Sequence, residues 1–267
     1  MKSWRICAAG WKTNNQRLTG RLKGAFTGRT AGQILKVMDI KILQRTRGAK
    51  EARGIAVIID VFRAFTTECY IMAAGAKELI AVGDMALAYE YKEKHPDAFL
   101  VGERHGVMLP GFDRGNSPSQ IQGVSLVGKT VLHTTSAGTQ GLAAATDADT
   151  VLTGSLANAK AIARYIKGQN PETVSLVCMG LEAVSETQED NLRAEYIKAL
   201  LEDEPFDLGP EIEKLKTGDG AKFFDPAQQN VFPQEDFHLS VKADSFDFVL
   251  TVSKVENGLH YITKTDI

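Results

Sequence analysis

Apolar residues recur along this chain in short unbroken runs separated by amphipathic stretches, a pattern that predicts strand and helix in turn. The strongest run is IAVIID at 55–60, where no polar residue interrupts the series before its closing carboxylate. A run of that kind suits a central strand covered on both faces. Residues 64–75 predict a helix that stops at Gly75, a residue type common just past helix ends. ELIAV (78–82) is the next strand, followed by a helix from the N-cap Asp84 to about His95 and by the strand FLVGER (99–104). KTVLHTT (129–135) runs into the helix SAGTQGLAAA, and TVLTGS (150–155) into the helix LANAKAIARYIKG, closing on Gly168. TVSLVCMG (173–180) leads through a loop into the helix NLRAEYIKALL. Ahead of the strongest run, DIKIL reads as a short strand and QRTRGAKEAR as a basic loop. Residues 204–236 are irregular and charged, which suggests a peripheral helix and loops, and FDFVLTVSKVENGLHYITK reads as a hairpin around Asn257-Gly258. The alternation predicts an α/β protein, a three-layer α/β/α fold with a mostly parallel or mixed sheet and a C-terminal β-hairpin.

Of 267 residues, 43% are hydrophobic and 24% charged, ordinary for a chain able to bury a core. The net charge of −2 hides an asymmetry. Residues 1–37 carry eight basic side chains and no acid, leaving 23 basic and 33 acidic residues in the remainder. Such a segment could meet nucleic acid or an anionic membrane, or serve as a presequence. Its lack of apolar periodicity sets the expectation that 1–37 lies outside the fold, as a disordered extension or as sequence upstream of a start at Met38. Residues 38–267 then form one domain, whose acidic balance argues against a nucleic-acid partner. No apolar run reaches the roughly 18 residues that span a bilayer, and the N-terminus lacks the apolar core of a secretory signal. A cytoplasmic protein with no membrane partner is expected. Cys7, Cys69 and Cys178 show no paired spacing and read as free thiols.

Asp60 ends the central strand and Arg63 follows three positions later, where open α/β sheets bind ligands. Asp60 suits a metal ligand or general base and Arg63 a bidentate anion clamp; equally, Asp60 could cap the next helix with Arg63 as its ion-pair partner. HGVMLPGFDRGNSP (105–118) breaks the periodicity, and a loop of that kind on a rigid scaffold often carries binding residues. Thr134, Thr135, Ser136, Gly138 and Thr139 open a helix, where unpaired N–H groups could cradle one phosphate or simply form a cap. No GxxxxGK[ST] loop or GxSxG elbow is present, which sets aside Walker-type nucleotide binding and serine acyl transfer. Glu182, Glu186, Glu189 and Asp190 gather beyond the strand 173–180. Acids in a first helical turn commonly complement the dipole, and Glu189 and Asp190, nearest the helix start, are the pair expected to turn inward.

VIIDVFRAFTT, LVGERHGVMLPGFDRGNSP, GKTVLHTTSAGT, GSLANA and the acidic pair together resemble, in order and spacing, the 2-phosphosulfolactate phosphatase family from about Ile55 to Leu200. GFDRGNSP and TTSAGT carry most of the specificity. The resemblance implies a three-layer α/β fold and a magnesium-dependent phosphatase that removes phosphate from 2-phospho-3-sulfolactate, a step toward coenzyme M. By motif, Asp60 and Arg63 match the family's strand-end pair, Glu103 and Arg104 its GER, and Asp113, Asn116 and Ser117 its GFDxGNSP loop. Thr134, Thr135, Gly138 and Thr139 match its TTxxGT turn, and Glu189 and Asp190 its acidic pair. Phe65 departs from the usual Thr and is expected to narrow the site; Ala137 falls where Asn precedes Gly-Thr, and Glu195 where Gly is usual.

On this reading Asp60, Glu189 and Asp190 hold Mg2+, while Arg63, Arg104, Asn116, Ser117 and the turn residues hold the anion. Glu103 or Asp113 serves as general base. Direct attack by water is favoured over an aspartyl-phosphate at Asp60, because Phe62 stands where haloacid-dehalogenase-like enzymes place a second Asp. A homodimer is expected from the resemblance alone. The alternatives are a phosphatase or lyase on another small phosphorylated acid, and a non-catalytic sensor of phosphorylated metabolites.

Overall fold

The computed structural model describes residues 38–267, so the expectation for 1–37 lies outside the described residues. The elements in chain order are β1 (Asp39–Gln44), α1 (Arg45–Glu51), β2 (Ile55–Ile59), α2 (Ala64–Ala73), β3 (Glu78–Val82), α3 (Met85–Lys94), β4 (Phe99–Arg104), β5 (Val107–Met108), α4 (Pro118–Ile121) and β6 (Thr130–Thr134). There follow α5 (Gly138–Ala144), β7 (Thr150–Gly154), α6 (Ala159–Gln169), β8 (Thr173–Cys178), α7 (Gln188–Glu202), α8 (Leu208–Leu215), α9 (Gln234–Val241), β9 (Phe248–Glu256) and β10 (Leu259–Asp266).

β2 explains its own sequence. All five of its residues are buried, and successive side chains of a strand leave on opposite faces. Ile55, Val57 and Ile59 pack against Ile162 of α6 and Ile197 of α7, whereas Ala56 and Ile58 join Phe65 of α2 and Leu142 of α5. Each buried isoleucine contributes roughly 1.5–3 kcal/mol, so neither face of this strand has room for a polar side chain before its end.

The strands form one mixed sheet in the order β1-β8-β2-β7-β9-β10-β3-β6-β4-β5. β1, β8, β2 and β7 pair in parallel, as do β3, β6 and β4. The hairpin β9–β10 lies between these two groups, antiparallel to β7 on one side and to β3 on the other. Three successive antiparallel pairings make the two parallel groups run in opposite senses. Side chains from both groups nevertheless share one core, Ile58 and Val177 with Leu79, Val101 and Val131, so the sheet bends over on itself across the hairpin. Asn257 and Gly258, at φ 51° and 80°, make the predicted two-residue turn, and both angles lie where Asn and Gly are favoured.

Two elements differ from their predicted form. QRTRGAKEAR is not a loop but is helical from Arg45 to Glu51, where only Gly48 and Ala49 are buried and no apolar stripe announces a helix. α6 runs past Gly168 to Gln169, and Asn170 takes the left-handed cap at φ 47°, a conformation Asn tolerates. The irregular segment after α7 holds α8 and ends in a second helix, α9, bound by an aromatic cluster. Phe62, just after β2, meets Phe223 at 5.1 Å and Phe237 at 5.6 Å between ring centres. Cys69 and Cys178 are buried free thiols, and burial pushes the Cys69 pKa up to about 12. Among the described residues no helix is long and apolar enough to cross a membrane.

Candidate active site

Where β2 ends, Asp60 enters a cleft of about 270 Å³ lined by residues from both halves of the sheet. Gly180 follows β8, Glu103 lies at the end of β4, and Ser136 and Ala137 follow β6. Carboxyl ends of strands from both parallel groups therefore meet at one place, the usual ligand position in such folds. Glu189 and Asp190 come from the first turn of α7, and Lys222 and Phe232 from the segment before α9.

Four buried carboxylates line this cleft, Asp60, Glu103, Glu189 and Asp190. Asp60 accepts the Ala64 N–H at 3.1 Å, so it does hold the start of α2 while facing the cleft. Burial, reinforced by the neighbouring Glu103, pushes its pKa up to about 6. Asp190 ties β2 to β8 by accepting the Val61 N–H at 2.9 Å and the Gly180 N–H at 2.8 Å. Burial and then the Glu189 and Asp60 carboxylates raise Asp190 well above the usual range. Glu189 is pushed up to about 7, chiefly by burial, and its Oε2 has no hydrogen-bond partner. Like charges held together out of water disfavour their own ionisation, and a cation would relieve that. The donors are all hard oxygens, the kind magnesium takes, and magnesium uses only one or two protein carboxylates. Among the described residues no three His, Cys, Asp or Glu side chains form a ready ligand group.

Arg63 lines the cleft but is only 3% exposed. Its Nη1 donates to Asp236 Oδ2 at 2.7 Å and to the Val231 carbonyl at 2.9 Å, and its Nη2 to the Gly106 carbonyl at 3.3 Å. The ion-pair partner is thus Asp236, not Asp60, and much of the guanidinium fork is taken up within the protein. Arg104 does not line the cleft: its Nη2 donates to the Gly83 carbonyl and to Thr134 Oγ1. Adjacent residues of a strand face opposite ways, so Glu103 and Arg104 cannot both turn inward.

Asp113 also lies outside the cleft. Its Oδ2 accepts the Leu100 N–H at 2.8 Å and fastens the loop to β4, which leaves it unplaced to act as a base. Glu103 faces the cleft, but its carboxylate accepts the Gly106 N–H and Ser136 N–H, each at 2.7 Å, and the Ser136 hydroxyl at 3.2 Å. It pins two loops together rather than standing free to take a proton. Asn116 and Ser136 line the cleft, whereas Ser117 is buried with its hydroxyl donating to Asp236. Thr134, Thr135 and Thr139 are buried behind the turn, where Thr139 Oγ1 donates to the Thr135 carbonyl. Gly138 backs directly onto Asp60. Phe65 does not narrow the cleft; it is a core residue packed against Gly138. Glu195 is exposed on α7 outside it.

Sequence reasoning passed over Lys222, Phe232 and Asp236. The Lys222 ammonium lies 5.6 Å and 5.3 Å from the Phe223 and Phe232 ring centres. A lone lysine in an irregular segment carries no motif, and the aromatic cluster alone brings it to the cleft. At the exposed side, His105 Nδ1 meets Glu182 Oε1 at 2.6 Å, and that contact raises the His105 pKa.

A folded-over α/β sheet with buried acids and basic groups converging at its strand ends defines an α/β protein with a charged cleft. A family model described as 2-phosphosulpholactate phosphatase matches residues 40–267, and the chain belongs to that family. A protein of Bacillus subtilis named "Probable 2-phosphosulfolactate phosphatase" is 31% identical over 220 residues, covering 81% of this chain and 95% of that protein. One of the same name from Carboxydothermus hydrogenoformans is 40% identical over 165 residues, 61% of this chain and 68% of its own length. Another, from Caldanaerobacter subterraneus subsp. tengcongensis, is 32% identical over 225 residues, 76% and 88% of the two chains.

Proposed function

We propose that this protein is a magnesium-dependent phosphatase that hydrolyses the phosphate monoester of a small phosphorylated hydroxy acid, 2-phospho-3-sulfolactate by the names of its relatives. The observation that carries the reading is the cluster of Asp60, Glu189 and Asp190, buried and mutually unfavourable beside Lys222, with one carboxylate oxygen uncommitted. Asp60 and Asp190 would hold magnesium. When bound, the ion neutralises phosphoryl oxygens and polarises the ester.

The remaining steps belong to the protein's own groups. Lys222 and Asn116 supply a cation and an amide to the phosphoryl oxygens. Arg63 adds positive charge from behind, moderated by Asp236. The Glu189 carboxylate takes a proton from the attacking water, an exchange its pKa near neutrality suits, and passes it to the departing alkoxide oxygen as the ester O–P bond breaks. Asp60 Oδ1, held by the Ala64 N–H, keeps the carboxylate oriented while charge moves in the cleft. The protein acts in the cytoplasm as a homodimer; analytical ultracentrifugation checks the second of these.

The test is phosphate release from a panel of small phosphorylated hydroxy acids, including 2-phosphosulfolactate, with magnesium and with chelator. Magnesium-dependent release strongest for the sulfonate is expected. Release from another member only would keep the chemistry and change the substrate, and no release from folded protein would favour a sensor. Gly138 provides a local check. A Cβ there would lie 3.0 Å from Asp60 Oδ2, 2.9 Å from the Phe65 ring and 3.1 Å from Ala64. Gly138→Ala should therefore displace the carboxylate and lower kcat/KM by roughly a hundredfold, the cost of a misplaced reacting group. Unchanged kinetics would show that Asp60 tolerates the shift.

A further inference from the structure

Behind the cleft lies a line of three polar side chains, two of which the proposed reaction does not use. Glu68 of α2 and His133 of β6 are both fully buried. His133 Nδ1 lies 3.0 Å from Glu68 Oε1, and Nε2 lies 3.2 Å from Asn116 Oδ1. Asn116 in turn lines the cleft. The line thus runs from the core to the ligand site in three residues.

The protons on this line follow from what each atom can do. An amide oxygen only accepts, so Nε2 must carry hydrogen to bond with Asn116 Oδ1. On the other side of the ring Nδ1 meets the Glu68 carboxyl group, so the imidazole is held at both nitrogens with Nε2 directed at Asn116. The amide oxygen is then turned inward, and the NH2 group remains for the cleft with no acceptor for it among the described residues.

We infer that Glu68 and His133 are positioning residues that fix Asn116 as a hydrogen-bond donor toward the anionic ligand of the cleft. The inference rests on the anion-binding reading given above. With its amide reversed, Asn116 would present an oxygen to phosphoryl oxygens and repel them. Holding the donor outward before the ligand arrives removes a reorganisation that would otherwise oppose the reaction.

The experiment is a double-mutant cycle on the full chain with magnesium and the phosphorylated acid it turns over best. Asn116→Ala should lower kcat/KM by about a hundredfold, as loss of one preorganised donor does. His133→Gln should lower it by roughly tenfold to a hundredfold, as loss of a supporting partner does. In the double variant the His133→Gln loss should vanish, because its effect passes through Asn116. Additive losses, or wild-type kinetics in His133→Gln, overturn the inference. Should His133→Gln fail to fold, Glu68→Gln runs the same cycle, since a neutral amide lets His133 keep its proton on Nδ1 and leave Nε2 bare.

NMR separates this inference from the phosphatase reading. The His133 Nε2 should carry a proton in the free protein, and the Asn116 side-chain NH2 signals should move on titration with inorganic phosphate in wild type but not in the positioning variants. A protein that shows both and releases no phosphate keeps the inference and loses the phosphatase reading. A bare Nε2, or Asn116 signals indifferent to phosphate, overturns the inference whatever the activity.

Discussion

Replacing Asp60 with asparagine is expected to lower kcat/KM for magnesium-dependent phosphate release by about a thousandfold or more, since ion-based charge stabilisation is worth several kcal/mol and each 1.4 kcal/mol is tenfold. The fold should survive. Asparagine keeps an oxygen for the Ala64 N–H that Asp60 now accepts, and it ends the burial of a charge. Wild-type turnover in Asp60→Asn would remove this residue from the mechanism.

The same cluster makes stability depend on pH. Asp60 and Glu189 are raised to about 6 and 7 in the folded chain, above the unfolded range near 4. Groups shifted upward stabilise fully below their unfolded pKa, and that contribution is lost as pH rises through the folded values. The Tm measured in chelator should therefore fall between about pH 4 and 7. Magnesium should flatten the fall, and Asp60→Asn should make it shallower. A Tm in chelator that rises over this interval would contradict the assignment.

Asp236→Ala is expected to cost about 3–5 kcal/mol, because it leaves a buried arginine without its counter-charge. Arg63 is 3% exposed and Asp236 not at all, and the two meet at 2.7 Å. Asp236 also accepts the Ser117 hydroxyl and the Ser119 N–H, each at 2.9 Å, so three segments lose an anchor together. Thermal melting should register a drop of roughly 10 °C for a chain of this size. The double variant Arg63→Met, Asp236→Leu should recover much of it, since an apolar pair of similar volume fills the space without desolvated charge. Should Asp236→Ala melt like wild type, Arg63 must find water through the cleft.

The strands were legible because most are buried on both faces and carry unbroken apolar runs. Their order was not: β9 and β10 are separated from β7 and β3 by long stretches of chain, and no local pattern encodes which edges they join. Asp60, Glu189 and Asp190 could be found because each follows an apolar strand or opens a helix. Their environment is what raises their pKa values, and it is made by residues far apart in sequence. The partner of Arg63 lies 173 residues downstream. Arg104 and Asp113 sit within strong motifs, yet side-chain direction on β4 and the loop's bond to Leu100 turn them elsewhere. A motif marks a neighbourhood; strand geometry decides which of its members face the ligand.

The hairpin follows every other described element in the chain, yet it fills the middle of the sheet. On the ribosome, β7 and β3 would therefore both wait as open edges until the last strands emerge. Unpaired edges invite association between nascent chains. Long-range closure of this kind is slow, and the cleft, drawn from both sides of the joint, depends on it. Loss of β10 would not trim a border but would part the molecule at its seam.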